Sequence, residues 1–290
     1  MTGSQTQSGD KNQSNTSSKN PSSESNVSKD ESTSHEVLPL PYSDITKIKY
    51  KDIKKDALDD YFADSVFIGN SIMVHFKNYY SNKKAEVSGF LGRASFFCLS
   101  NYSAEKDFGE ITNESWHPSY AGEKMHSWDA IKAMKAKTVY LNLMALNELA
   151  LHSGATCVKD TMNNTIKLVE KIKAVSPDVN IVILSNTYMV YNYNGFGILN
   201  NFNISEFNNA ALKYCNENNM DFVDISTFLM EGNVLKNDYC SDWKKGSGNG
   251  CHLTNDAYAM WTAALRNYAF AKINGFYKNP VSMPKYTKNA

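Results

Sequence analysis

Five short apolar segments recur along this chain, and the stretches between them are long enough to form helices. Residues 64–69, 94–100, 138–143, 180–185 and 220–225 are rich in β-branched and aromatic side chains, the composition of strands buried on both faces. Residues 156–174 carry apolar side chains at 158, 162, 166, 169 and 172, which is helical spacing. Residues 72–80, 127–134, 204–218 and 255–272 also read as helices, with Phe207, Ala211 and Leu212 inward in one and Tyr258, Trp261 and Leu265 on one face of another. Strands that alternate with helices imply a parallel sheet covered on both faces, because parallel neighbours need a crossover connection. In such sheets, sites form beyond the carboxyl ends of the strands.

The alternation begins late. Residues 1–36 contain only two apolar residues, Met1 and Val27, too few to offset the entropy of ordering the segment. Residues 1–44 are therefore expected to be a disordered polar tail, residues 45–275 the folded domain, and residues 276–290 a loosely packed polar tail. The Ser/Asn/Thr-rich start suits a tether from a bacterial surface anchor whose targeting segment has been removed, and also suits a cytosolic extension. The first reading makes the protein extracellular. The 30 basic and 30 acidic side chains cancel, and no basic stripe argues for nucleic acid. No apolar run is long enough to span a membrane. Cys240 and Cys251 bracket a polar loop. A disulfide there would stabilise by about 2–3 kcal/mol, and two free thiols are the other reading. No cysteine spacing resembles a zinc site, and no metal or cofactor is expected.

Three polar clusters fall at expected strand ends. Gly69-Asn70-Ser71 leads from a strand into a helix, where glycine permits a tight turn and the helix N-terminus favours a developing anion. Ser71 or Asn70 also reads as a helix cap. Asn147 and Glu148 follow the third strand of the sheet, where an Asn amide can donate to an oxyanion or simply occupy a turn. His252 lies in Asn249-Gly250-Cys251-His252-Leu253-Thr254, just before the last helix, with Thr254 as its expected N-cap.

Together these blocks resemble the SGNH/GDSL hydrolases over nearly the whole globular part. Gly69-Asn70-Ser71 matches the family's Gly-Asp-Ser. Ala145-Leu146-Asn147-Glu148 matches its Gly-x-Asn-Asp, and Asn249 to Thr254 matches its Asp-x-x-His-Leu-Thr. The resemblance implies a three-layer αβα, flavodoxin-like parallel sheet and a serine esterase mechanism. Ser71 is then the nucleophile and His252 the general base. The oxyanion is held by the Ser71 and Ser103 backbone N–H groups and the Asn147 side chain. Asn70 and Glu148 support the nucleophile turn.

The sequence departs from the family pattern in three places. The family's second block has no clear glycine here, Ser103 and Gly92 being the nearest positions. Asn249 stands where the family has the orienting Asp, with Asp242 and Asp238 in the preceding loop as other acids. Asn70 and Glu148 each replace an Asp. The implied substrate is an acylated small molecule or a carbohydrate ester. An O-acyltransferase on surface polymers would use the same residues, and Asn249 leaves open a glycan-binding protein that has lost activity. His75 sits one helical turn past Ser71. Trp116, His117 and Tyr120 form an aromatic loop suited to stacking on sugar or to packing.

Overall fold

The computed structural model describes residues 55–142, 145–151, 154–190, 199–244 and 248–286, all within one structural unit. The expected tail at 1–44 lies outside the described residues. In chain order the elements are helix α1 (Lys55–Asp60), strand β1 (Ser65–Gly69), α2 (Ser71–Glu86), β2 (Ser95–Cys98), α3 (Ala104–Asp107), β3 (Ser119–Tyr120), β4 (Glu123–Lys124), α4 (Ser127–Met134), β5 (Thr138–Asn142) and α5 (Ala145–Leu151). Then follow α6 (Cys157–Val175), β6 (Asn180–Leu184), α7 (Asn201–Glu217), β7 (Asp221–Val223), β8 (Met230–Glu231), β9 (Val234–Leu235) and α8 (Asn255–Ile273). β3 with β4, and β8 with β9, form small antiparallel hairpins.

The large sheet has the order β2-β1-β5-β6-β7, and every neighbouring pair is parallel. Counted within the sheet, this is the 2-1-3-4-5 order of flavodoxin-like folds, with the switch point between the first and third strands. That point is where β1 delivers Ser71. Both faces of the sheet are covered, as the alternation of strands and helices requires. Phe67, Tyr140 and Val182 face a core shared with α2 and α8. Their neighbours Val66, Ile68, Val139, Leu141 and Ile181 face a second core containing α4 and α6. Phe67 and Tyr140 are paired in register and stack at 4.7 Å. Helix α6 buries Cys157, Thr161, Met162, Thr165, Leu168, Val169 and Ile172, a stripe of three- and four-residue steps that makes it amphipathic.

Four local features are decided by the structure. The segment after Ser103 and the segment containing Asn147 are short helices, α3 and α5, rather than loops. Ser127 is not the N-cap of α4. His126 holds that position without a side-chain cap, and the Asp107 carboxylate accepts from the Ser127 N–H at 3.1 Å instead. The described part of 276–290 is packed rather than loose. Asn279 accepts from the Phe222 N–H at 2.7 Å and donates to the Met220 carbonyl at 2.9 Å, while Met283 and Tyr286 are buried. Of the two readings of Cys240 and Cys251, the structure has the free, buried thiols. Among the described residues, no helix is long and apolar enough to cross a membrane.

Candidate active site

The nucleophile turn begins at Gly69, the last residue of β1. A Cβ at this position would lie 2.6 Å from the Asn142 carbonyl oxygen and 2.7 Å from the Met73 Cβ, so the close approach of β5 and α2 requires glycine. Asn70 is the N-cap of α2, and its Oδ1 accepts from the Ile72 N–H at 3.0 Å. With Asn70 as the cap, Ser71 becomes the first helical residue. Its hydroxyl is left for other work, and its N–H lies among the helix N-terminal donors that have no intrahelical acceptor.

His252 comes from the other end of the chain. Residues 239–241 and 252–254 run antiparallel, with an isolated bridge between Cys240 and Leu253. Ser241 N–H donates to the His252 carbonyl at 2.8 Å, and Thr254 N–H to the Tyr239 carbonyl at 3.0 Å. Thr254 then caps α8 through its side chain. The Tyr258 hydroxyl, one turn into α8, donates to the Ile72 carbonyl at 2.7 Å. That bond ties the helix that follows the imidazole to the helix that carries Ser71. The result is a 3.0 Å contact between His252 Nε2 and Ser71 Oγ.

Asp242, not Asn249, lies behind the ring. Asp242 Oδ2 is 2.8 Å from His252 Nδ1. Asn249 only donates its backbone N–H to the same oxygen, at 3.0 Å. The other carboxylate oxygen accepts from the His252 N–H at 3.0 Å and from the Cys240 thiol at 3.1 Å. The four donors occupy the carboxylate's acceptor sites. Burial alone would raise the Asp242 carboxyl, but its bonds to the His252 ring, the Cys240 thiol and the His252 N–H outweigh burial and hold it below the ordinary carboxylate value. An ionised Asp242 accepts the Nδ1 proton, which leaves the Nε2 lone pair to accept from the Ser71 hydroxyl. Asp238 is elsewhere, paired with Lys236 at 3.2 Å.

Asp242 was one of two loop acids offered beside Asn249, and spacing did not single it out because it sits ten residues before the histidine instead of three. The loop between them doubles back through glycines. A Cβ at Gly248 would collide with the Asp242 carboxylate and approach its Cβ to 2.8 Å, and Gly250 has φ 68°. The glycines at 248 and 250 were the available sequence signal for such a fold-back.

Two of the expected oxyanion donors, Asn147 and Ser103, lie on adjoining segments. Asn147, on α5, donates its Nδ2 to the Tyr102 carbonyl at 3.1 Å, next to Ser103. That bond uses one of the two amide hydrogens. Ser103 is buried, and its Oγ caps α3 by accepting from the Lys106 N–H at 3.2 Å. Glu148 accepts from the Glu105 N–H at 3.2 Å and from the Asn164 Nδ2 at 2.5 Å, so it braces the helix behind Ser103. His75 packs its ring 5.0 Å from that of His252. Burial, with the nearby His252 charge, pulls the His75 imidazole below its ordinary value. In the aromatic loop, His117 is buried and unable to meet a ligand at the surface, whereas Trp116 is exposed. Trp243, directly after Asp242, is also exposed.

No protein-family profile matches the chain, and no curated protein matches it in sequence. Solved structures do resemble it. A GDSL-like lipase from Bacteroides thetaiotaomicron superposes with a TM-score of 0.52 at 15% identity, covering 72% of this chain and 88% of that one. An acetyl xylan esterase superposes with a TM-score of 0.50 at 12% identity, covering 70% of this chain and 98% of that one. The architecture is thus a three-layer α/β fold with its polar cluster at the topological switch point. More narrowly, it is the fold of the SGNH/GDSL hydrolases, as the sequence blocks implied.

Proposed function

We propose that this chain is a serine ester hydrolase that works through an acyl-serine on an acylated small molecule or carbohydrate. One observation carries the reading: Ser71 Oγ, His252 and Asp242 form a continuous chain with contacts of 3.0 and 2.8 Å. That is the arrangement a neutral hydroxyl needs to become a nucleophile.

In this mechanism His252 Nε2 takes the Ser71 proton as Oγ attacks the ester carbonyl carbon. Asp242 stabilises the imidazolium that forms. The carbonyl oxygen becomes an oxyanion, held by the Ser71 N–H, the Asn147 amide hydrogen not used by Tyr102, and the Ser103 N–H. One such donor contributes roughly 3–4 kcal/mol to lowering the barrier. The C–O bond to the alcohol then breaks, and His252 returns the proton to the leaving alkoxide. Water, deprotonated by His252, attacks the acyl-serine. The acid is released and Ser71 regains its proton.

The acyl group is taken to be short and the alcohol a sugar. The supports are the fold shared with an acetyl xylan esterase and the exposed Trp116 and Trp243, since indole faces suit sugar rings. The polar residues 1–36 support a surface tether and an extracellular site of action. The idea of a glycan-binding protein without activity rested on Asn249, and Asp242 now fills that role in the chain of contacts. A fluorophosphonate probe tests the nucleophile: wild type labels and Ser71→Ala does not. Absence of labelling in wild type together with no hydrolysis of p-nitrophenyl acetate would end the esterase reading. Adding an alcohol acceptor and analysing the products separates hydrolysis from transfer.

A further inference from the structure

Away from Ser71, the excursion between β2 and α4 folds two histidines onto one aspartate. Asp107 closes α3, and its side chain is fully buried. His126 Nδ1 lies 2.6 Å from the Asp107 main-chain carbonyl and 3.8 Å from its Oδ1. His117 Nε2 lies 3.3 Å from the same carbonyl and 4.0 Å from the same Oδ1. The ligand-capable atoms of the three side chains all fall within 4.8 Å of one another.

Each group is held from behind, as the outer partners of metal ligands are. The Asp107 carboxylate accepts from the Ser127 N–H and, at 2.6 Å, from the Ser127 hydroxyl. The His126 ring stacks on Trp128 at 4.4 Å. His117 Nδ1 is 2.9 Å from Ser115 Oγ.

The His117 ring is clamped at both nitrogens. Its Nε2, in a side chain only 1% exposed, faces the Asp107 carbonyl and carboxylate, and its Nδ1 faces Ser115 Oγ, which is itself 2.9 Å from the Thr112 carbonyl.

We propose that Asp107, His117 and His126 bind a divalent first-row transition ion, zinc foremost, through Oδ1, Nε2 and Nδ1. Two imidazoles and one carboxylate are a zinc donor set. Bonds of about 2.0–2.1 Å place tetrahedral ligands about 3.3 Å apart, so the rings close on Oδ1 by only about 0.5–0.7 Å from the separations above. A solvent oxygen completes the shell from the His126 side, where that side chain is 23% exposed. The ion would clamp the excursion that carries β3 and β4 to α3, immediately after Ser103. The site is independent of the esterase reading.

The test strips purified protein with EDTA, then titrates it with zinc chloride or cobalt chloride alone. Bound metal is measured by mass spectrometry after dialysis, and the cobalt adduct by its visible absorption. The main variant is His126→Ala, chosen for its partial exposure, with its folding checked by circular dichroism. His252→Gln controls for the separate grouping of Asp242, Cys251 and His252. The expected result is one ion per chain with a tetrahedral cobalt spectrum in wild type and in His252→Gln. Affinity in His126→Ala should fall by more than the about 10–100-fold that loss of an outer partner costs. Failure of wild type to take up stoichiometric metal, or equal uptake by folded His126→Ala, overturns the site.

Discussion

Asp242 Oδ2 accepts from the Asn249 backbone N–H and contacts His252 Nδ1, so Asp242 faces the ring and Asn249 only braces Asp242. The difference is chemical, because only the carboxylate fixes the Nδ1 tautomer and offsets the imidazolium charge. Asp242→Asn is expected to lower kcat by about 10⁴-fold, as the same exchange does in a serine protease triad. Asn249→Ala, which keeps the backbone donor, should leave kcat near wild type. Steady-state kinetics on p-nitrophenyl acetate compares the two. The depressed Asp242 carboxyl also predicts a pH dependence of stability. A carboxylate with a lowered folded-state pKa contributes stability that is complete above its unfolded value and is lost as pH falls through its folded value. The thermal midpoint of wild type should therefore exceed that of Asp242→Asn at neutral pH, and the gap should close only in strong acid, below the ordinary carboxylate range. A gap that closes near neutrality would contradict this.

At the scale of elements, two contacts set where the nucleophile stands. Asn70→Ala removes the cap on α2 and should cost about 0.5–2 kcal/mol in chemical denaturation. Gly69→Ala drives a methyl group into the Asn142 carbonyl and Met73, and should cost about 1–3 kcal/mol with a larger fall in activity than Asn70→Ala. The long elements were legible because they are periodic. The stripe of α6, the cap Thr254 and the apolar strands β1, β5 and β6 sit where residue pattern puts them, whereas α8, expected to bury one face, is buried all round from Trp261 to Ala271. The short ones were not. α3 has four residues and α5 seven, too few for a helical period to stand out, and the hairpins β3–β4 and β8–β9 have two-residue strands. Ser71 and His252 were singled out by local motifs at strand ends, and the structure brings their side chains within 3.0 Å. Asp242 was offered only as one of two loop acids, since its place behind the ring depends on long-range contacts with Gly248, Asn249 and His252 that spacing along the chain does not report.

Over the whole molecule, α8 is the strut that joins the ends of the domain. Arg266 reaches α1 and holds Asp59 through two bonds of 2.9 Å, with both residues buried. Arg266→Ala leaves a buried carboxylate without its partner and should destabilise the domain by about 3–5 kcal/mol. Replacing both partners by apolar residues of similar volume should cost far less, and calorimetry on the single and double variants distinguishes the two. The antiparallel pairing of residues 239–241 with 252–254 has a mechanical consequence. Acid and imidazole ride on opposite banks of one stitched loop, while the hydroxyl rides on the first residue of α2. The loop's three bonds hold acid and ring together, so in the proposed mechanism the separation of hydroxyl and ring is the gap that would throttle the reaction.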